Sequence, residues 1–156
     1  MLSTQRKLPL KMMVAVDGSE HSWAAVAALR DLPFSESAAP GSSIAVVAVM
    51  IPRDAAEHRA REMMLGEVQA QLQSIGIEVT TELLVGYPAE MLTQYAEAHH
   101  PDLIVLGAKG LRATLGILLG GVAQAMVEYA CCPILIVRAP YRGLRRILLA
   151  VDGSIY

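Results

Sequence analysis

Aromatic side chains are scarce in this sequence, where Trp, Tyr and Phe together make up only 4% of the residues. Because large rings are few, the core must be built from aliphatic side chains, and apolar residues reach 54% of the chain. An aliphatic core of this kind is typical of sheets that helices cover on both faces. At 156 residues the chain is long enough to bury one such core without disulfides or metals.

Cysteine is nearly absent as well, and the two present, Cys131 and Cys132, are adjacent. Neighbouring cysteines rarely form a disulfide with each other, and neither has a partner at the spacing of a metal site. The four histidines are not spaced as metal ligands either. We therefore predict no metal site and interpret the cysteines as small side chains in a reducing compartment.

Apolar runs long enough to cross a membrane are also missing, since none approaches the roughly 18 residues that a bilayer requires. The apolar stretch near the N-terminus reaches Asp17 too soon for a secretory signal. The net charge of −2 provides no basic stripe for nucleic acid. The sequence thus predicts a cytoplasmic protein that binds neither membranes nor nucleic acids.

What the sequence does contain is a regular alternation of apolar runs and amphipathic segments. Five strands separated by four helices predict an α/β domain with a parallel sheet and right-handed crossovers. The third run alternates apolar and polar residues, which indicates an edge strand with one wet face. The predicted strands are 11–16, 44–51, 77–85, 102–106 and 133–137, and the predicted helices are 20–31, 54–75, 88–99 and 121–131.

The end of the chain repeats its beginning. Residues 146–154 (RILLAVDGS) match residues 11–19 (KMMVAVDGS) almost position for position, so that Asp17 recurs as Asp152. An internal repeat at domain spacing indicates the start of a second copy. We therefore predict an α/β domain over 1–138, a linker over 139–145, and the first strand of a truncated second repeat over 146–156.

The stretch 103–122 (LIVLGAKGLRATLGILLGGV) is the strongest candidate for a site. A buried strand runs into Gly107 and Gly110, and the pair Gly120 and Gly121 opens the next helix. Backbone N–H groups can converge on an anion in such a place. Two plainer interpretations stay open: the glycines allow close helix–strand packing and a tight turn, and Asp17 forms a turn or caps the first helix.

These motifs together give the chain a family resemblance. With Asp17-Gly18-Ser19 after the first strand, five βα units, and Gly107-x-x-Gly110 followed, after nine intervening residues, by Gly120, it resembles the universal stress protein family over about residues 12–137. The resemblance implies a flavodoxin-like fold, of the kind grouped with adenine nucleotide alpha hydrolases, and helices on both faces of a sheet of order 3-2-1-4-5. It also implies dimers formed through the last strand.

The implied order leaves the apolar strand 133–137 at one edge of the sheet. A bare apolar edge promotes aggregation, so a partner should cover it. We expect either a homodimer through this strand or a pseudo-dimer with a second repeat.

The same order places the site between strands one and four, where connections diverge to opposite faces of the sheet. In nucleotide-binding members of the family, the glycines let the backbone approach the phosphates, the acid after strand one contacts the nucleoside, and the end of strand two holds the base. By position, the resemblance assigns the binding of a nucleotide to Val16, Asp17, Gly18, Ser19, Val49, Gly107, Ala108, Lys109, Gly110, Arg112, Gly120, Gly121 and Val122.

The chain departs from the family pattern at Gly121, where nucleotide-binding members carry Ser or Thr, and at Ala108, where a small hydroxyl often stands. Losing one charge-assisted hydrogen bond costs about 1.5–3 kcal/mol, which is roughly a tenfold to hundredfold loss of affinity. Lys109 and Arg112 still supply positive charge nearby.

Three functions follow from this pattern. The first is a dimeric stress-response or signalling module that binds ATP or ADP, with or without Mg²⁺. The alternative is a member of the family that binds no nucleotide and works through protein contacts. A slow ATPase is the weakest hypothesis, because the sequence provides no general base or metal ligand beyond Asp17 and no catalytic residue can be named.

Overall fold

The computed structural model describes residues 8–32, 39–51, 55–111 and 118–150. The strands are β1 (Lys11–Ala15), β2 (Ser43–Met50), β3 (Glu78–Val85), β4 (Leu103–Gly107) and β5 (Ile134–Val137). The helices are α1 (Glu20–Asp31), α2 (Ala55–Gln73), α3 (Pro88–His99) and α4 (Gly121–Tyr129).

The five strands form one parallel sheet in the order β3-β2-β1-β4-β5. This confirms the predicted fold class and strand order, and the strand bounds agree with the prediction to within a residue or so. β1 is the central strand, with Val14 opposite Val46 of β2 on one side and Val105 of β4 on the other. The carboxyl ends of β1, β2 and β4 therefore meet at one edge of the sheet.

Apolar layers cover both faces of the sheet. Met12 and Val14 of β1 pack with α1 and α2 on one face, while Met13 packs with α3 and α4 on the other. Since both faces are covered, the central strands need no polar alternation. Only β3 alternates: Val79 is buried, whereas Thr80 and Glu82 are exposed, as predicted for an edge strand.

After β5 the chain returns across the start of α1. The Ala139 N–H donates to Nδ1 of His21 at 2.9 Å, and Tyr141 packs against the α1–α2 layer. Residues 144–150 then extend into solvent without forming a strand, with Leu148 95% exposed. The strand predicted from residue 146 is thus not formed as far as 150, and residues 151–156 lie outside the described part of the chain.

Within the described ranges, no helix is both long enough and apolar enough to cross a bilayer.

Candidate functional site

Asp17 joins the end of β1 to the loop after β4. Its Oδ1 accepts a hydrogen bond from the Ser19 N–H at 3.0 Å, which forms the turn into α1. Its Oδ2 accepts from the Leu111 N–H, also at 3.0 Å, although the two residues are 94 positions apart. The structure therefore brings Asp17 and the glycine stretch together across the switch point of the sheet.

Ser19 also links the start of α1 to the loop after β4. As the N-cap of α1, its Oγ accepts from the Ser22 N–H at 3.2 Å and donates to the Lys109 carbonyl at 3.1 Å. The side chain is buried, with 5% of its surface exposed. Its hydroxyl is thus engaged as both donor and acceptor within the fold. Gly18, beside it, has a φ of +82°, a turn conformation that favours glycine.

Close packing accounts for Gly107, the first glycine of the motif. A Cβ on Gly107 would lie 2.6 Å from the carbonyl carbon of His21, so β4 can approach α1 this closely only with glycine. A Cβ on Gly110 would lie 2.7 Å from Oδ2 of Asp17, which is the end of a side chain and not backbone. The packing interpretation therefore holds for Gly107, whether or not a ligand also binds there.

The second glycine pair opens α4. Gly120 is its N-cap; its N–H donates to the Ala108 carbonyl at 2.7 Å, and it offers no side chain to cap the helix. The first N–H groups of a helix have no acceptor within the helix, and its dipole favours an anion. At Gly121 a Cβ would meet no atom within 4 Å. This helix end consequently has donors and room for a side chain.

Among the described contact residues of the prediction, Ala108 differs in its burial. It is fully buried, and its N–H donates to the Val137 carbonyl at 2.8 Å, so both groups are engaged within the fold. A side chain one position past the end of a strand can turn inward, which the motif alone does not reveal. Arg112 lies outside the described residues.

A cleft runs along the carboxyl edge of β1, β2 and β4. Its larger part has a volume of about 230 Å³ and its smaller part about 60 Å³. Asp17, Val49 and Pro88 line both parts. Of the predicted residues, Val122 also lines the larger part, and Val16, Gly107 and Lys109 line the smaller.

Arg61 is the contact that sequence analysis misses. Its spacing on the second helix predicts an outward side chain, but it is half-buried, and its Nη1 donates to the Asp17 carbonyl at 2.5 Å. It lines the larger part of the cleft together with Glu57. No sequence signal marks this residue, because the contact depends on how α2 packs beside the β1–α1 turn.

The structure also contains a cavity outside the cleft. This cavity, of about 520 Å³, lies at the end of the strands away from the cleft, where Asp31 ends α1 and Tyr141 follows β5. Among the residues that the structure describes, no three His, Cys, Asp or Glu side chains are grouped to hold a metal ion. The cleft beside Asp17 brings together six of the predicted contact residues: Val16, Asp17, Val49, Gly107, Lys109 and Val122. Gly18, Ser19, Gly110, Gly120 and Gly121 are not among its described lining residues.

Comparison with known proteins gives a family match. The model of the universal stress protein family matches residues 10–138. A universal stress protein of Thermus aquaticus is 31% identical over 137 residues, covering 81% of this chain and 97% of that protein. One from Methanocaldococcus jannaschii is 38% identical over 76 residues, covering 49% of this chain and 45% of its own length.

A longer relative matches nearly the whole chain. A universal stress protein of Mycobacterium tuberculosis is 25% identical over 162 residues, covering 92% of this chain and 54% of that protein. The chain thus spans about half the length of this relative, as it does of the one from M. jannaschii.

Solved structures share the fold. A universal stress protein from Lactobacillus plantarum superposes with a TM-score of 0.72 at 21% identity, covering 83% of this chain and 97% of that one. A universal stress protein in complex with cAMP gives 0.66 at 24% identity, with coverage of 83% and 97%. A family member from Arabidopsis thaliana with AMP bound gives 0.63 at 22% identity, with coverage of 83% and 92%.

Proposed function

Since the chain belongs to the universal stress protein family, we propose that it is a nucleotide-binding domain of stress response or signalling, with ATP or ADP as its ligand. The observation that carries this proposal is the cleft in which Asp17 meets the loop after β4, 94 residues away. The complexes of two structural neighbours, one with cAMP and one with AMP, also support it.

The cleft suggests how a nucleotide would lie. Its larger part extends from Val49 at the end of β2, where the family holds the base, to Val122 at the start of α4. The phosphates would then meet the free N–H groups of that helix, with Lys109 supplying positive charge. Asp17 keeps acceptor capacity for the nucleoside, because a carboxylate has about four lone-pair sites and the described residues use two of them.

Calorimetric titration with ATP–Mg²⁺ and ADP tests the proposal, and absence of binding at millimolar nucleotide would exclude it. The variant Gly121→Ser should bind ATP roughly tenfold to hundredfold more tightly, because it restores a hydroxyl at the phosphate end. Gly121→Ala is the matched control, since it makes the same backbone change without the hydroxyl. Equal affinities of the Ser and Ala variants would contradict the assignment of the phosphates to this helix.

We also propose that β5 pairs with another copy of this domain, either in a second molecule or in a second repeat. Within the described part of the chain, β5 has β4 on one side and no strand on the other. Its residues Ile134, Leu135 and Ile136 are only half-buried. A second copy would remove this apolar edge from water.

The repeat at 146–154 supports a tandem arrangement. Met12, Met13 and Val14 of β1 are almost fully buried, at 2%, 1% and 0% exposure. Their counterparts in the repeat, Ile147, Leu148 and Leu149, are 88%, 95% and 80% exposed. Apolar side chains so arranged require the rest of a second domain to cover them, and the Mycobacterium tuberculosis relative is long enough to contain one.

A cytoplasmic location belongs to the same proposal. Cys131 and Cys132 are free thiols, as expected in a reducing compartment. Burial raises the pKa of the Cys132 thiol, with the neighbouring Cys131 and Asp102 adding to the effect, so this side chain stays protonated at neutral pH.

A further inference from the structure

Arg61 and Asp17 form a contact that the sequence motif does not predict. The Arg61 side chain reaches from α2 to the β1–α1 turn, where Nη1 donates to the Asp17 carbonyl at 2.5 Å. The residue is half-buried, and it lines the 230 Å³ part of the cleft. The hydrogen bond therefore holds a guanidinium group at the wall of the space that a nucleotide would occupy.

The charged side chains around this space make the position of the Arg61 guanidinium important for the binding of an anion. Three charged side chains are among the described residues lining the larger part of the cleft: Asp17, Glu57 and Arg61. Arg61 is the positively charged member of this described set. In a partly enclosed cleft such interactions are screened less than at an open surface.

We propose that Arg61 determines ligand specificity: it makes this cleft prefer phosphorylated adenosine to the uncharged nucleoside. A guanidinium carries five N–H donors in a planar fork, and one of them is used by Asp17. The charge of the guanidinium would attract a phosphate group bound in the same part of the cleft. This inference rests on the proposed nucleotide-binding function.

The test compares adenosine, AMP and ATP by calorimetric titration of the wild type, Arg61→Ala, Arg61→Lys and Arg59→Ala. The measured quantity is the ratio of the adenosine Kd to the ATP Kd. In Arg61→Ala this ratio should fall at least about tenfold, which is the affinity that one charge-assisted hydrogen bond contributes. The adenosine Kd should change little. Arg61→Lys keeps the charge and should keep the ratio within about threefold of the wild type.

Arg59→Ala is the matched control, because Arg59 is exposed on the same helix and should leave every Kd unchanged. If Arg61→Ala weakens adenosine and ATP equally, Arg61 only positions the Asp17 turn; the inference is then overturned while the proposed function stands. If the wild type binds neither ligand, the proposed function fails and the inference falls with it. Should the alanine variant fail to fold, Arg61→Gln also removes the charge, and an unchanged ratio in that variant would overturn the inference.

Discussion

At Gly107 the end of β4 approaches the backbone of α1 so closely that no side chain fits between them. The three atoms nearest to an added Cβ, at 2.6–2.8 Å, all belong to the backbone of His21 and Ser22. A flexible side chain could turn away from such a contact, but backbone can move only if the helix moves. The glycine therefore fixes the distance between α1 and the sheet.

Gly107→Ala should consequently destabilise the protein by about 1–3 kcal/mol or more, as overpacking does in a close-packed core. Gly66→Ala is the matched control, since Gly66 lies within α2 and an added Cβ would meet nothing within 4 Å. That change should instead stabilise the protein by about 0.5–1 kcal/mol, because alanine favours the helix. Urea unfolding followed by circular dichroism gives both values, and equal midpoints for the two variants would contradict the packing argument.

Single residues also show what a sequence can predict about this cleft. Asp17 is predicted to lie opposite Gly107 and Gly110, because ligand sites in parallel sheets lie beyond the carboxyl ends of the strands at the switch point. Locating that point needs only the order of the strands. Arg61 escapes such reasoning because its contact with Asp17 depends on the packing of two elements 44 residues apart. The position of Ala108 cannot be predicted from strand order either, because its N–H bonds the Val137 carbonyl on another strand.

Among the elements, α1 is tied most firmly to the candidate site. Ser19 caps it and also bonds the loop after β4 through the Lys109 carbonyl. One side chain thus fixes both the direction of the helix and the position of the loop that contributes to the cleft. Any movement of α1 would be transmitted to that loop.

Ser19→Ala should therefore cost about 1–3 kcal/mol, combining a lost N-cap with a buried carbonyl left without its donor. It should also increase hydrogen exchange at the Leu111 amide, which the loop holds against Asp17. Ser22→Ala is the control: this equally buried hydroxyl bonds only the Ser19 carbonyl within its own helix, so its loss should change stability little. Unchanged exchange at Leu111 in Ser19→Ala would show that helix and loop are independent.

Periodicity predicts the elements well where both of their faces are buried. It is less reliable at helix ends: the spacing in α4 predicts that Met126 and Tyr129 face inward, yet only Met126 is buried and Tyr129 is 62% exposed. The last turn of α4 extends beyond the edge of the core, and a repeat of 3.6 residues carries no information about where that edge lies.

For the whole molecule, the two edges of the sheet differ in character. β3 presents polar side chains on one face, whereas β5 is apolar throughout. Along β5, the Pro133 carbonyl accepts a hydrogen bond from Ile104 of β4, and the Val137 carbonyl accepts one from Ala108, just past the end of β4. Because strand residues point alternately to either side, the N–H groups of Ile134 and Ile136 face away from the sheet.

Ile136→Pro should therefore dissociate the proposed dimer, since it removes one outward donor without breaking the ladder to β4. Ile136→Ala is the matched control, because it removes the side chain but keeps the N–H group, and we expect it to remain dimeric. Sedimentation velocity distinguishes the two states. A dimeric proline variant, or a monomeric wild type, would show that β5 is not the interface of a homodimer.

The repeated segment allows a comparison of one position in two settings. Met13 is 1% exposed in β1, and its counterpart Leu148 is 95% exposed. Met13→Asp should unfold the domain, because an unpaired charge would be buried in the core. Leu148→Asp should leave the melting temperature unchanged. Thermal denaturation measures both, and a comparable loss in the second variant would mean that the tail contacts the domain.

The hydrogen bond between Asp17 and Leu111 can form only late in the synthesis of the protein. Ribosomes add roughly 5–20 residues per second, so Asp17 is synthesised roughly 5–19 s before Leu111, 94 residues later. Until the loop after β4 has been added, the two sides of the cleft cannot meet. A nucleotide held there would stabilise only the nearly finished domain and would offer no help to its nascent precursors.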